Sequence, residues 1–361
     1  MERPPTLDPV LAERRRLWPK LLVAVAVVVV GAWAVLKFVP TSDYVFLPGE
    51  ARAVAPLVKV PDERAPDGEG GVYMVDIFVR KASLLEKVWP GSTEGATIVP
   101  NRVLNPAGVS ESQRDAASDL DMTLSEQIGA AVALRALGYE VDTGPSGALV
   151  TQVSPRTPAD GELRVGDVVT RANGQDVRTP GDLRTAMASV EPGQEVTFTI
   201  RRKGGTLDVT LTTTRSPEDP PRAIVGVIVE QSASIELPVP VSIDAGNVGG
   251  PSAGLAFALD IVDELGSDID QGRTIVATGE IELDGSVGAI GGVKQKVIAA
   301  RRAGADVFLV PQENLAEAKE HADGLPVVGV ATFDEALIAL GVTDIGAARE
   351  AAPAPEPAPA G

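Results

Sequence analysis

The chain has no cysteine and one histidine, His321. A thiolate nucleophile, a disulfide and the Cys/His ligand sets of zinc are therefore excluded. Only carboxylates remain as metal ligands, and none recur at a recognisable ligand spacing, so no metal and no cofactor is expected. His321 sits in Lys319-Glu320-His321-Ala322-Asp323, which reads as a solvated helix end, so a Ser-His-Asp triad is not expected. No Gly-x-x-x-x-Gly-Lys-Ser/Thr phosphate loop occurs, which argues against use of ATP. Positive charge is also scarce: the formal net charge is −18, which disfavours nucleic acid as a partner.

Long apolar runs are confined to one place. Arg3, Arg14, Arg15, Arg16 and Lys20 precede Leu21–Val39, where Lys37 is the one charged residue and can snorkel. This predicts a single transmembrane helix at 21–39 behind a cytoplasmic basic tail at 1–20. The positive flank places everything after Pro40 outside the plasma membrane. A cleaved signal peptide is the alternative, but its Ala32-Trp33-Ala34 pattern lies inside the apolar run rather than after it.

The stretch Gly249–Lys296 carries the candidate chemistry. Gly250-Pro251-Ser252-Ala253-Gly254 displays a serine just before the apolar run Leu255–Leu265. Proline suits the first helical position, and the opening N–H groups of a helix are unpaired, so Ser252 would emerge beside ready oxyanion donors. A serine hydroxyl needs a base. With histidine and cysteine set aside, the remaining base is a lysine held neutral by an apolar surround. Lys296 shares a helical stripe with Val293, Ala299, Ala300 and Ala303, whereas Lys294 shares its side with Arg301. Lys296, 44 residues beyond the serine, is therefore the candidate base.

Gly250–Gly254, Thr278-Gly279-Glu280, Gly288-Ala289-Ile290-Gly291-Gly292 and Lys296 together resemble the proteolytic domain of the Lon proteases, a Ser/Lys-dyad family, over 224–342. The resemblance implies Ser252 as nucleophile, Lys296 as general base and Thr278 as an orienting hydroxyl, with Gly250, Pro251 and Ala253 forming the active-site loop. It also implies homo-oligomers. Many Lon enzymes have an acidic residue three positions before the serine, where this chain has Gly249.

Between 41 and 137 the pattern gives a strand at 72–79 and an amphipathic helix at 112–137, which resemble the first elements of the same protease domain. Residues 80–109 show little periodicity. Residues 138–215 alternate as short strands, with a hairpin turned at Gly204-Gly205. Val153-Ser154-Pro155, Leu163-Arg164-Val165-Gly166-Asp167-Val168-Val169 and Asn173-Gly174 resemble a PDZ domain. That resemblance implies a peptide partner captured by its C-terminus. It makes Leu137-Gly138-Tyr139 the binding loop and Leu183, Ala186 and Met187 the groove. Residues 343–361, Ala/Pro-rich, read as a disordered tail.

The expected fold class is α+β, a Lon-type proteolytic domain with a small β-rich PDZ domain, preceded by one N-terminal transmembrane helix. The expected function is an ATP-independent, membrane-anchored, extracytoplasmic serine endopeptidase acting on protein or peptide substrates. The rival is a non-catalytic PDZ scaffold or chaperone-like binder on a Lon-derived body, which Gly249 keeps open.

Overall fold

A computed structural model describes residues 9–61, 70–105, 110–217, 221–246, 248–266 and 268–342. The expected disordered tail at 343–361 lies outside them, as does the start of the basic tail. The chain divides into two compact units.

The first unit comprises residues 1–47 and 78–104. It holds α1 (Pro9–Phe38), the beginning of β1 (Pro40–Ala53), the end of β2 (Gly71–Ser83), α2 (Leu84–Val88) and β3 (Thr97–Val99). The poorly periodic region thus folds as short pieces. Its core is small, with Val45, Ala82 and Ala96 flanked by Leu47 and Ile98. Polar contacts do the rest. Ser83 and Glu86 form a reciprocal cap on α2, and Arg80 clasps Glu86 through both guanidinium nitrogens, holding that carboxyl down at about 2.

Along α1, Leu22, Val23, Val25 and Val27–Val30 are exposed, and Lys37 Nζ lies 4.8 Å from the Trp33 ring centre. Among the described residues no helix is long and apolar enough to cross a membrane. Side chains of α1 are described only at Lys20 and from Leu22 onward.

The second unit, residues 48–77 and 105–361, is built around a small antiparallel sheet and most of a larger one, with three two-stranded ribbons beside them among the described residues. Its opening helix is α3 (Glu111–Ala136), capped by Ser110 and Gln113. The small sheet follows, made of β4 (Asp142–Val153), β5 (Val168–Ala172), β6 (Glu195–Arg202) and β7 (Gly205–Thr212), with α4 (Pro180–Met187) packed on it. Its edge is completed by β8 (Val227–Glu236), giving the antiparallel order β8-β4-β5-β6-β7. The expected boundary at 215 therefore cuts off a strand. Register explains why: β8 pairs with β4 from Val227↔Val153 to Glu236↔Asp142, so the chain leaves the small domain and returns to its edge. Alternation in β6 and β7 buries Val196, Phe198, Ile200, Val209 and Leu211 against Leu183 and Ala186 of α4.

The larger sheet is parallel where it carries the site. In chain order come α5 (Gly254–Leu265), β9 (Thr274–Ala277), the short β10 (Glu280–Ile281) and β11 (Val287–Gly288), α6 (Val293–Arg302), β12 (Val307–Pro311), α7 (Leu315–His321), β13 (Val327–Val330) and α8 (Phe333–Ala339). β9 lies between β2 and β12, parallel to both, and β13 pairs with β12. Parallel neighbours need helical crossovers, and α6 and α7 supply them. α5 is apolar on nearly every side, and Leu255, Phe257, Leu259 and Ile261 are each fully buried. It packs against α3, where Gly129 leaves room for Gly254 and Phe257. Burying a helix on all faces puts whatever precedes it at a fixed height over the core.

Candidate active site

Ser252 lies in the single 3-10 turn Pro251–Ala253 that opens onto α5. Gly250, at φ 87°, makes the bend before it. Two hydroxyl residues of α3 hold this loop. Gly250 N–H donates to the Ser118 carbonyl at 2.9 Å, and Ser125 Oγ donates to the Pro251 carbonyl at 2.9 Å. Sequence reasoning missed both. The signal available was two serines seven residues apart, on one face of a helix that is otherwise apolar there. Gly254 N–H is taken by the Pro251 carbonyl, while the N–H of Ser252, at the second position of the turn, has no carbonyl partner within it.

Lys296 reaches the serine from α6. Gly292, in the left-handed region at φ 70°, starts this helix, and a Cβ there would collide with Ile77. Val293, Val297, Ala299 and Ala300 then face Val75, Val276, Phe308 and Val310, which turns Lys296 inward to 3% exposure. Its Nζ sits 2.7 Å from Ser252 Oγ and 3.0 Å from Thr278 Oγ1. Thr278 leaves the end of β9 with its N–H bonded to the Leu309 carbonyl, and its hydroxyl donates to the Ser252 carbonyl at 3.0 Å. Gly279 N–H donates to the same carbonyl at 2.9 Å. Serine, lysine and threonine from three separate elements thus close into one network.

Electrostatics follow from that burial. Desolvation drives the Lys296 pKa from the ordinary lysine value down to about 7, and the Asp76 carboxylate opposes it as the lesser influence. Asp76 is itself held by Glu50 N–H at 2.9 Å and by Arg52 at 3.1 Å. A neutral amine at this position can give one N–H to Thr278 and accept the Ser252 proton on its lone pair. His321, in the last turn of α7, takes no part in this network.

The departure at Gly249 has a steric reason. A Cβ there would overlap Ser118 Oγ, so a side chain at 249 requires the Ser118 hydroxyl to turn away, beside the Ser118 carbonyl that holds Gly250.

The expected peptide loop is corrected. Leu137-Gly138-Tyr139 closes α3 as a Schellman stop: Gly138, at φ 85°, donates to Arg135 and Tyr139 N–H to Leu134. These amides are consumed, and Leu137 lies in the protease core beside α5. Ala186 is likewise core. Leu183 and Met187 do line a cleft of about 780 Å³, whose far wall is Ala223–Val229. There Gly226 turns at φ 90°, and the Val225 and Gly226 carbonyls accept from Ala159 and Ser154. No hydrogen bond leaves the N–H of Val225 or Gly226 among the described residues. The sequence signal was the apolar alternation Val225-Gly226-Val227-Ile228-Val229 just after the proline-rich exit.

One cluster escaped spacing arguments altogether. Asp263, Asp268 and Asp270 bring one carboxylate oxygen each within 4.8 Å of one another. Beside them Asp260, buried, is pushed up to about 8 by desolvation and by Glu264, Asp263 and Asp270.

Comparison with known proteins agrees with this arrangement. Residues 228–338 match the family model of the Lon protease (S16) C-terminal proteolytic domain, and residues 127–213 match that of the PDZ domain. The chain carries a Lon-type proteolytic domain and a PDZ domain. Lon protease 2 of Bacillus subtilis is 40% identical over 90 residues, 25% of this chain and 16% of that protein. Lon protease of Rickettsia bellii is 31% identical over 161 residues, 44% of this chain and 21% of that protein. The chain spans less than a quarter of the length of these relatives. The PDZ domain of an SdrC-like protein from Listeria monocytogenes is 18% identical, covering 23% of this chain and 87% of its own at a TM-score of 0.22. The Lon match begins inside β8 and the PDZ match inside α3, so both shared elements belong to the protease body as much as to the small domain.

Proposed function

We propose that this chain is a serine endopeptidase that works through a Ser252/Lys296 dyad without ATP, and that its PDZ domain recruits substrate by a C-terminus. The observation that carries the reading is the 2.7 Å contact between Lys296 Nζ and Ser252 Oγ, made by a lysine buried enough to be neutral near pH 7. Ser252 Oγ attacks the peptide carbonyl as its proton passes to Lys296. The negative charge that develops on the carbonyl oxygen is met by the N–H of Ser252 at the opening of the turn. Lys296 then protonates the departing amine, and water, deprotonated by the same nitrogen, releases the acyl group. Thr278 fixes the Lys296 rotamer and, by bonding the Ser252 carbonyl, the pitch of the turn.

The PDZ groove runs between α4 and Ala223–Val229. The N–H groups of Val225 and Gly226 suit a terminal carboxylate, and Leu183, Met187 and Val229 suit an apolar side chain beside it. The exposed apolar side chains of α1 and the arginines before them support an anchor in the plasma membrane, with the protease on the extracytoplasmic side.

The test is cleavage of casein by the full chain in detergent without nucleotide, beside Ser252→Ala and Lys296→Ala. Cleavage by the parent and none by either variant is the expected result. Casein left intact by the parent, or cut equally by Lys296→Ala, overturns the reading.

A further inference from the structure

We propose that Ser125, on α3, is a positioning residue for the oxyanion donor: by holding the Pro251 carbonyl it aims the Ser252 N–H at the substrate. The inference rests on the reading of Ser252 as nucleophile. A peptide group is a rigid plane, and in its trans form the C=O and the N–H point in opposite directions. The Pro251 carbonyl and the Ser252 N–H are the two ends of one such plane. Whatever fixes the first therefore fixes the second.

Two bonds converge on that carbonyl. One comes from Gly254 N–H, inside the turn itself, and moves wherever the turn moves. The other comes from Ser125 Oγ at 2.9 Å and ties the plane to a separate helix 126 residues earlier in the chain. A serine within a helix commonly returns its hydroxyl to the carbonyl one turn back. Ser125, 3% exposed, instead spends its hydroxyl across the interface, where little water competes for it.

The approach of α3 to the turn depends on glycine at both sides. A Cβ at Gly254 would lie 2.7 Å from Ser125 Oγ, and one at Gly129, a turn further along α3, would lie 3.1 Å from the Gly254 carbonyl. The next peptide plane is pinned in a parallel way, since the Ser252 carbonyl accepts from Gly279 N–H and from Thr278 Oγ1. Thr278 also touches Lys296 Nζ, whereas the hydroxyl of Ser125 bonds only the loop among the described residues. Ser125 thus acts on the oxyanion side and leaves the base alone.

The experiment compares the full chain in detergent with Ser125→Ala and with Ser125→Cys, which keeps the volume but offers only a weak donor. On a short internally quenched peptide both variants are expected to lose on the order of 10- to 100-fold in kcat, somewhat less than deletion of a donor outright, with KM little changed. The acidic limb of the pH profile should stay in place. A peptide aldehyde supplies the second readout. Ser252 Oγ bonds to its carbon, the serine proton passes to Lys296, and the carbonyl electron pair ends on oxygen as an alkoxide. Both variants should bind the aldehyde at least tenfold more weakly, and the matching peptide alcohol, which forms no oxyanion, as well as the wild type does. Unchanged kcat, equal weakening of aldehyde and alcohol, or a displaced acidic limb overturns the proposal. A wild type that neither cleaves the peptide nor takes the aldehyde defeats the dyad and this inference together. A wild type that needs Lys296 but is indifferent to Ser125→Ala and Ser125→Cys defeats this inference alone.

Discussion

Lowering the pH should switch the enzyme off through one buried nitrogen. Lys296 must be neutral to take the Ser252 proton, and burial sets its pKa at about 7. At that value about half the molecules are competent at pH 7, about a tenth at pH 6 and about a hundredth at pH 5. An exposed lysine near ~10.4 would leave roughly one molecule in 2,500 neutral at pH 7, so burial alone is worth on the order of a thousandfold in active fraction. The acidic limb of kcat/KM, measured on a short internally quenched peptide from pH 5 to 9, should therefore fall tenfold per unit below ~7. Asp76 supplies a second check. Its carboxylate favours the charged amine, so Asp76→Asn should move the limb to lower pH and raise the relative activity at pH 6. The asparagine keeps an acceptor for Glu50 N–H, which limits structural damage. A flat profile between pH 5 and 8, or a limb that stays put in Asp76→Asn, would refute Lys296 as the base that this geometry describes.

The same burial destabilises the fold. Lys296→Met should be inactive yet more stable by roughly 3–5 kcal/mol at pH 6 in denaturant titration, with the gain fading between pH 7 and ~10 as the wild-type lysine also becomes neutral when unfolded. Thr278→Val removes the bridge between Lys296 Nζ and the Ser252 carbonyl, so kcat should fall on the order of 10- to 100-fold with KM little changed, and Thr278→Ser should restore most of it. Gly249→Asp forces a side chain into Ser118 and should cost both melting temperature and activity, whereas a merely regulatory acidic residue would leave the melting temperature alone. Met187→Asp places a carboxylate on the PDZ groove and should weaken an apolar C-terminal peptide at least tenfold in fluorescence anisotropy, with cleavage of the short quenched peptide unchanged.

Some of this was legible in the chain because it is local. A glycine-proline-serine turn before an apolar run dictates a displayed hydroxyl, and the 3.6-residue period puts Lys296 rather than Lys294 on the inward stripe. Alternation at Val196, Phe198, Ile200, Val209 and Leu211 dictates a hairpin, and the absence of cysteine and the isolation of His321 leave lysine as the candidate base. Those statements need only covalent geometry and side-chain chemistry.

Other features depend on which segments meet. Leu137-Gly138-Tyr139 has the composition of a binding loop, but its amides are spent in stopping a helix whose end is buried in the protease core. The strand that walls the groove comes instead from residues 227–236, far along the chain, because the free edge of β4 accepts it in register. Ser118 and Ser125 look like ordinary helix residues until α3 is laid against the Ser252 turn. Asp263, Asp268 and Asp270 match no ligand spacing, and only the fold of the turn brings their carboxylates together. The sequence by itself singled out the candidate nucleophile and the class of its candidate base, since each follows from short-range pattern, and its motifs carried the resemblance to the two kinds of domain. Tertiary structure alone decided the distance between Ser252 and Lys296, the desolvation of that lysine and the wall of the cleft beside α4, because distance and desolvation are properties of packing between segments that the chain brings together only when it folds.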